Sequence, residues 1–154
     1  MYLTQGLHRA VQQCPHRVAT VQDGRRASYA RLAERCARLA GAMRTAGVAV
    51  GDRVAILSLN GDFHVEYFLG CWWAGAVAVP LNTRWSEREL AYALEDSGAA
   101  ILFVDDHHLD LAPALLAGSG PLRIAVHVGG KTTPAGVVAY EEWAGAAGPI
   151  PDAR

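Results

Sequence analysis

Three stretches hold residue types that could do chemistry. In VDDHHLDL, at 104–111, Asp105 and Asp106 precede His107 and His108, and carboxylate and imidazole are suitable metal ligands. Adjacent residues on an extended loop point apart, so the better reading is a solvated turn that opens the next helix, its acids near the positive end of that helix. GGKTT, at 129–133, has the ending of a phosphate-binding loop and follows an apolar run. The full pattern fails twice: its first glycine would fall at Ala125, and Pro134 with Gly136 stops the helix whose N-terminus would receive the phosphates. A surface turn is the reading here, and Lys131 is the only lysine in the chain. Tyr67, Phe68, Cys71, Trp72 and Trp73 could line an apolar ligand pocket, but they run all round one helix, which favours core packing. Cys71 has no cation nearby in sequence to lower its pKa, and no Ser, His and Asp arrangement stands out.

The elements that position these residues are legible from apolar spacing. A weak helical pattern covers 3–14, and an apolar run at 18–21 meets a turn at Asp23 and Gly24. Ser28 caps a helix whose apolar residues Tyr29, Leu32, Cys36, Leu39 and Met43 recur at three and four, with Gly47 as its left-handed exit. Residues 53–59 read as an internal strand and 63–74 as a helix apolar on nearly every side in its second half, hence buried. A second buried strand follows at 76–79, closed by Pro80. Ser86 and Glu89 form a capping box for a helix with Leu90, Ala93 and Leu94 inward, ending at Gly98. Strands at 100–104 and 122–128 flank a short helix at 109–116. This alternation implies right-handed crossovers and an α/β fold: a doubly wound, mostly parallel sheet with helices on both faces. Residues 1–130 form that unit. Residues 131–154 are expected to be irregular, with a brief helix at 140–144 and a linker-like GPIPDAR ending.

Composition narrows the class. A chain of 154 residues, 51% apolar and 19% charged, is one globular domain with a sizeable core. A net charge of −1 gives no basic field for nucleic acid or an anionic membrane. Three widely spaced cysteines without a CxxC pair argue against a disulfide framework or zinc site and fit a reducing, cytoplasmic setting. No secretory signal or transmembrane segment is expected.

ASYARL at 27–32, then GDRVAI from Gly51, AGAVAVPLNTR from Ala74 and a REL helix ending at DSGA form a combination with a specific likeness. It resembles the AMP-forming acyl-CoA synthetases and their adenylating relatives, densely over 29–99 and more loosely over 7–128. VDDHHLDL also resembles the opening of a response-regulator receiver, but only 48 residues follow Asp106, too few for the rest of that domain.

The resemblance implies an ATP-dependent ligase that joins a carboxylic acid to coenzyme A through an acyl-adenylate, using ATP, Mg²⁺ and coenzyme A. It also implies that the Ser/Thr/Gly-rich phosphate loop, TSGTTGxPK in form, lies beyond Arg154. On this reading the chain is an N-terminal portion, inactive alone, with no catalytic residue of its own and no cofactor held tightly. Arg84 in PLNTR matches an arginine that docks the coenzyme's phosphates in some members, a role suited to a permanently charged, two-pronged guanidinium. The same residue also reads as an exposed loop arginine, and Asn82 as either a second contact or a support for the turn. The partners implied are the remainder of the ligase and a carboxylate, fatty or aromatic. A severed apolar face would favour a homodimer. Two rival readings are a stand-alone binding or dimerisation module of the same fold, and a small nucleotide-binding doubly wound protein, for which no phosphate-binding glycine loop is found.

Overall fold

The computed structural model describes residues 2–118 and 120–153. After helix α1 (Gln5–Gln13), strands β1 (Val18–Gln22) and β2 (Arg25–Ser28) form an antiparallel hairpin. Asp23 and Gly24 both have positive φ, 48° and 77°, the geometry that matches a two-residue turn to strand twist. The Ser28 hydroxyl then accepts from the Arg31 amide at 3.2 Å and starts α2 (Tyr29–Thr45), as its type and position predict.

The main sheet is built from β3 (Arg53–Leu57), β4 (Val77–Pro80), β5 (Ile101–Asp105), β6 (Ile124–Val128) and β7 (Val138–Ala139). Its order is β4-β3-β5-β6-β7 and every pairing is parallel. The connections are α3 (Asp62–Ala74), α4 (Glu87–Ser97), and a 3₁₀ turn at Leu109–Leu111 leading into α5 (Ala112–Gly118); α6 (Tyr140–Ala146) follows β7. Alternate strand residues feed two cores, as the pleat requires. Val54, Ile56, Ile101, Phe103 and Val126 join the cluster of α2, α3 and α6, whereas Ala55, Leu57, Leu102, Val104 and Ala125 join that of α4 and α5. Helices therefore cover both faces, and the chain changes winding direction between β3 and β5.

Three local expectations need correction. Strand β4 is not buried: it pairs only with β3, and Val77 at the open edge is 48% exposed. Edge position also explains why Pro80, which lacks an N–H, closes it. Helix α3 is not enclosed on every side. Gly70 lets Leu39 of α2 approach to where a Cβ would sit 2.5 Å from its Cδ2, but Val65 on the other side is 41% exposed and Phe68 and Trp72 are half-buried. Third, residues 131–153 are less irregular than expected: the brief helix expected at 140–144 is present as α6, but β7 precedes it and the segment after α6 lies against the core as a strap rather than as a linker. Ile150 N–H donates to Ala37 O at 3.2 Å, Trp73 Nε1–H to Ile150 O at 2.8 Å, and Ala153 N–H to Trp73 O at 2.8 Å. Asp152 accepts from Thr4 Oγ1 at 2.5 Å and meets His8 Nε2 at 2.7 Å, tying the strap to α1.

Candidate functional site

Parallel strands deliver their following loops to one edge, and in open α/β sheets ligands bind there, where winding reverses. In this chain a cleft of about 730 Å³ lies at that edge, lined by the loop after β3 (58–61), the start of α3, Asp105–His107 at the end of β5 and residues 127–130 at the end of β6.

The acids in this cleft are anchors. Asp105 accepts from Leu59 N at 2.7 Å, from the amides of His107 and His108 at 3.1 and 3.0 Å, and meets His108 Nδ1 at 2.7 Å. Partial burial opposes its ionisation, but the Leu59 amide and His108 outweigh this and hold the carboxyl below its usual range. Asp106 turns the other way. Its carboxylate accepts from the amides of Gly130 and Lys131 at 3.0 and 2.9 Å and meets His127 Nε2 at 2.8 Å, and the two amides draw its pKa down to about 2. Gly129 permits this closeness, since a Cβ there would sit 2.3 Å from Asp106 Oδ1. His127 is buried, with Nδ1 2.8 Å from Thr133 Oγ1. Its two ring nitrogens are thus both engaged, one by Asp106 and one by Thr133.

Two sequence motifs are thereby explained. The GGKTT amides already hold an anion, the chain's own Asp106, so they form no phosphate cradle. Asp105 and Asp106 are pulled to different partners, and among the described residues no three His, Cys, Asp or Glu side chains converge as a cation site. The turn expectation holds for Asp106 and His107, while Asp105 is the partly buried last residue of β5 and His108 is buried rather than solvated.

The turn after β4 carries Asn82 and Arg84. Leu81 N–H donates to Ile56 O at 2.9 Å, fixing the turn to the end of β3. Asn82 Oδ1 accepts from the Arg84 amide at 3.0 Å and Asn82 O from the Trp85 amide at 3.1 Å. Asn82 thus supports the turn by the side-chain bond common in such loops. The Arg84 side chain is exposed and makes no ion pair among the described residues. The capping box at Ser86 and Glu89 closes both ways, with Ser86 N donating to Glu89 Oε2 at 2.8 Å.

The aromatic run belongs mainly to the core. Tyr67 is fully buried, donates its hydroxyl proton to Val54 O at 2.6 Å and accepts from Val79 N at 2.9 Å, joining β3 to β4. Burial pushes the Cys71 thiol up, away from nucleophilic use. One polar cluster escaped the sequence reading. Arg35 Nε–H donates to Glu66 at 2.6 Å, its two NH groups grip Glu141 at 3.0 and 2.7 Å, and Tyr140 O–H donates to Glu66. Burial raises the Glu66 pKa despite the opposing pull of Arg35. An acid amid the apolar residues of helix α3, past its first turn, was the available signal.

These features together form an α/β unit with its loops gathered at one edge, and residues 7–147 match the family model for the AMP-binding enzyme. The chain belongs to the AMP-binding enzyme family. It is 44% identical over 110 residues to a feruloyl-CoA synthase from Amycolatopsis sp., covering 71% of this chain and 22% of that protein. It is 38% identical over 119 residues to a long-chain-fatty-acid–CoA ligase from Thermus thermophilus, covering 76% of this chain and 21% of the relative. The match therefore spans about a fifth of the length of these relatives. Among solved structures, a benzoate CoA ligase from Burkholderia xenovorans superposes with a TM-score of 0.86 at 25% identity, over 99% of this chain and 30% of the other. The N-terminal domain of FACL13 from Mycobacterium tuberculosis gives 0.80 at 27% identity, over 96% and 37%. The ASYARL, GDRVAI and PLNTR strings all lie within the matched residues.

Proposed function

We propose that this chain is the N-terminal portion of an AMP-forming carboxylate–CoA ligase. In the whole enzyme a carboxylate oxygen attacks the α-phosphorus of ATP and pyrophosphate leaves; the coenzyme A thiol then attacks the acyl carbonyl and AMP leaves. The observation carrying this reading is the family match over 7–147 combined with relatives that are CoA ligases and four to five times longer than the matched stretch. Fatty or aromatic carboxylates are the substrate class, by similarity to the same relatives.

The residues of this chain do not fit the triphosphate or Mg²⁺. The Gly130 and Lys131 amides are occupied by Asp106, and no group of acids converges among the described residues. That chemistry is assigned to the remainder of the ligase, which is also the principal partner of this unit. Arg84 is the one residue proposed to meet substrate, gripping a coenzyme A phosphate from the turn that Asn82 holds rigid. Among the described residues no helix is long and apolar enough to cross a membrane, and we place the enzyme in the cytoplasm. Without its remainder, the chain pairs with a second copy through the open side of α3.

The test is product formation. Isolated chain given ATP, Mg²⁺, coenzyme A and a fatty or aromatic acid yields no AMP, and turnover by the chain alone overturns the reading. Specific binding of protein partners by a chain that never joins a ligase would favour a stand-alone module instead.

A further inference from the structure

A net charge of −1 conceals two opposed faces. Residues 1–45, which supply α1, the β1–β2 hairpin and α2, hold eight arginines and only two acids. Residues 86–118, which supply α4 and α5 on the other side of the sheet, hold seven acids and only one cation, Arg88. The basic face is also shaped. Between the hairpin, α2 and the start of α3 lies a pocket of about 230 Å³ whose walls bring together Arg25, Arg26, Arg31 and Arg35, with Thr20 beside them. Its acids are already paired: Arg25 Nη2 is 3.5 Å from Asp62, and Arg35 holds both Glu66 and Glu141. Arg26 is exposed and has no ion-pair partner among the described residues. Its cross-strand neighbour Val21 is 60% exposed, so the rim sets a guanidinium beside an uncovered apolar side chain.

The pocket already holds one carboxylate at its rim. The Glu141 side chain is 74% exposed, yet Arg35 grips it with two N–H groups at 3.0 and 2.7 Å. Arg35 first, with Arg31 and Arg25 behind it, keeps that carboxyl below its usual range against the opposing effect of partial burial. We propose that the same pocket receives a carboxylate side chain from an acidic polypeptide partner, gripped by Arg26 and Arg25 with Val21 packed beside it. Arginine is enriched in protein interfaces, and its planar fork matches a carboxylate. A recess takes a protruding side chain more readily than the flat surface of a bilayer. This contact does not depend on ligase activity.

The experiment titrates the chain with decaglutamate, and with decalysine as control, following the backbone amides by NMR. Decaglutamate shifts the amides of residues 20–27 and leaves those of α4 unchanged, and decalysine does not shift the hairpin. Each exposed ion pair contributes modestly, so Arg25→Gln/Arg26→Gln weakens decaglutamate about 2- to 30-fold. Arg88→Gln/Arg123→Gln removes the same charge elsewhere and leaves the affinity as it was. All four arginines are exposed, so both double variants keep the native spectrum away from the substitutions. Salt at 1 M, which shortens the Debye length to about 3 Å from about 10 Å at 0.1 M, releases the peptide. Equal weakening by the two double variants, or shifts spread over the whole chain, overturns the proposal. So does the absence of any response to decaglutamate. If phosphatidylcholine vesicles carrying phosphatidylglycerol bind instead, and lose that binding in Arg25→Gln/Arg26→Gln, the face belongs to a membrane and the polypeptide partner is refuted.

Discussion

Tyr67→Phe should loosen the strand that leads to the Arg84 turn. The Tyr67 hydroxyl donates to Val54 O and accepts from Val79 N, so its removal takes one bond from a fully buried acceptor and one from a half-buried donor. Each such bond contributes about 0.5–1.5 kcal/mol, and the loss of two places the sum near 2–3 kcal/mol. In a domain of this size that is a fall in Tm of about 4–12 °C. Urea unfolding measures it: the midpoint drops while the slope stays constant. Hydrogen exchange adds the location, with the amides of Val77 and Val79 exchanging faster than those of β5. Tyr92→Phe is the control, since Tyr92 is 69% exposed and its change stays within about 0.5 kcal/mol. A Tyr67→Phe protein as stable as the control would refute the claim that this hydroxyl holds β4 to β3.

Arg35→Met leaves Glu66, in a side chain only 8% exposed, without its cation, and should cost about 3–5 kcal/mol by urea unfolding, much of it recovered in Arg35→Met/Glu66→Gln. Gly41→Ala would stabilise an ordinary helix by about 0.5–1 kcal/mol. Here the added Cβ would lie 2.0 Å from Gly148 O, so limited proteolysis should find the 147–153 strap released and stability lowered. Asp106 has a folded pKa of about 2, below its unfolded value near 3.9. Its contribution is therefore complete above pH 4 and lost as pH falls toward 2, and Asp106→Asn should flatten that part of the stability profile.

Local signals in the sequence carried much of the fold. Ser28, the Ser86–Glu89 box, Gly75 and Gly98 act within one turn of chain, and each ends or starts its helix where its type predicts. What stayed hidden depends on distant partners. Ala76–Val79 is apolar whether internal or at an edge, and only the sheet order shows that β4 has one neighbour. Strand β7 is two residues long, too short for any period, and the strap after α6 is defined by Ala37 and Trp73, over seventy positions away. At the site, the failure of GGKTT as a phosphate loop was legible from Ala125 and Pro134, but its real occupant, Asp106, was not. Arg35, Glu66 and Glu141 are far apart in sequence and meet only because α2, α3 and α6 share one face of the sheet.

The central claim is that this unit is the scaffold of a longer CoA ligase, and the reading frame downstream of the Arg154 codon in the source transcript tests it most directly. The account predicts an open frame that soon encodes a Ser/Thr/Gly-rich loop of TSGTTGxPK form. A stop codon directly after Arg154 would contradict it and leave a free-standing module.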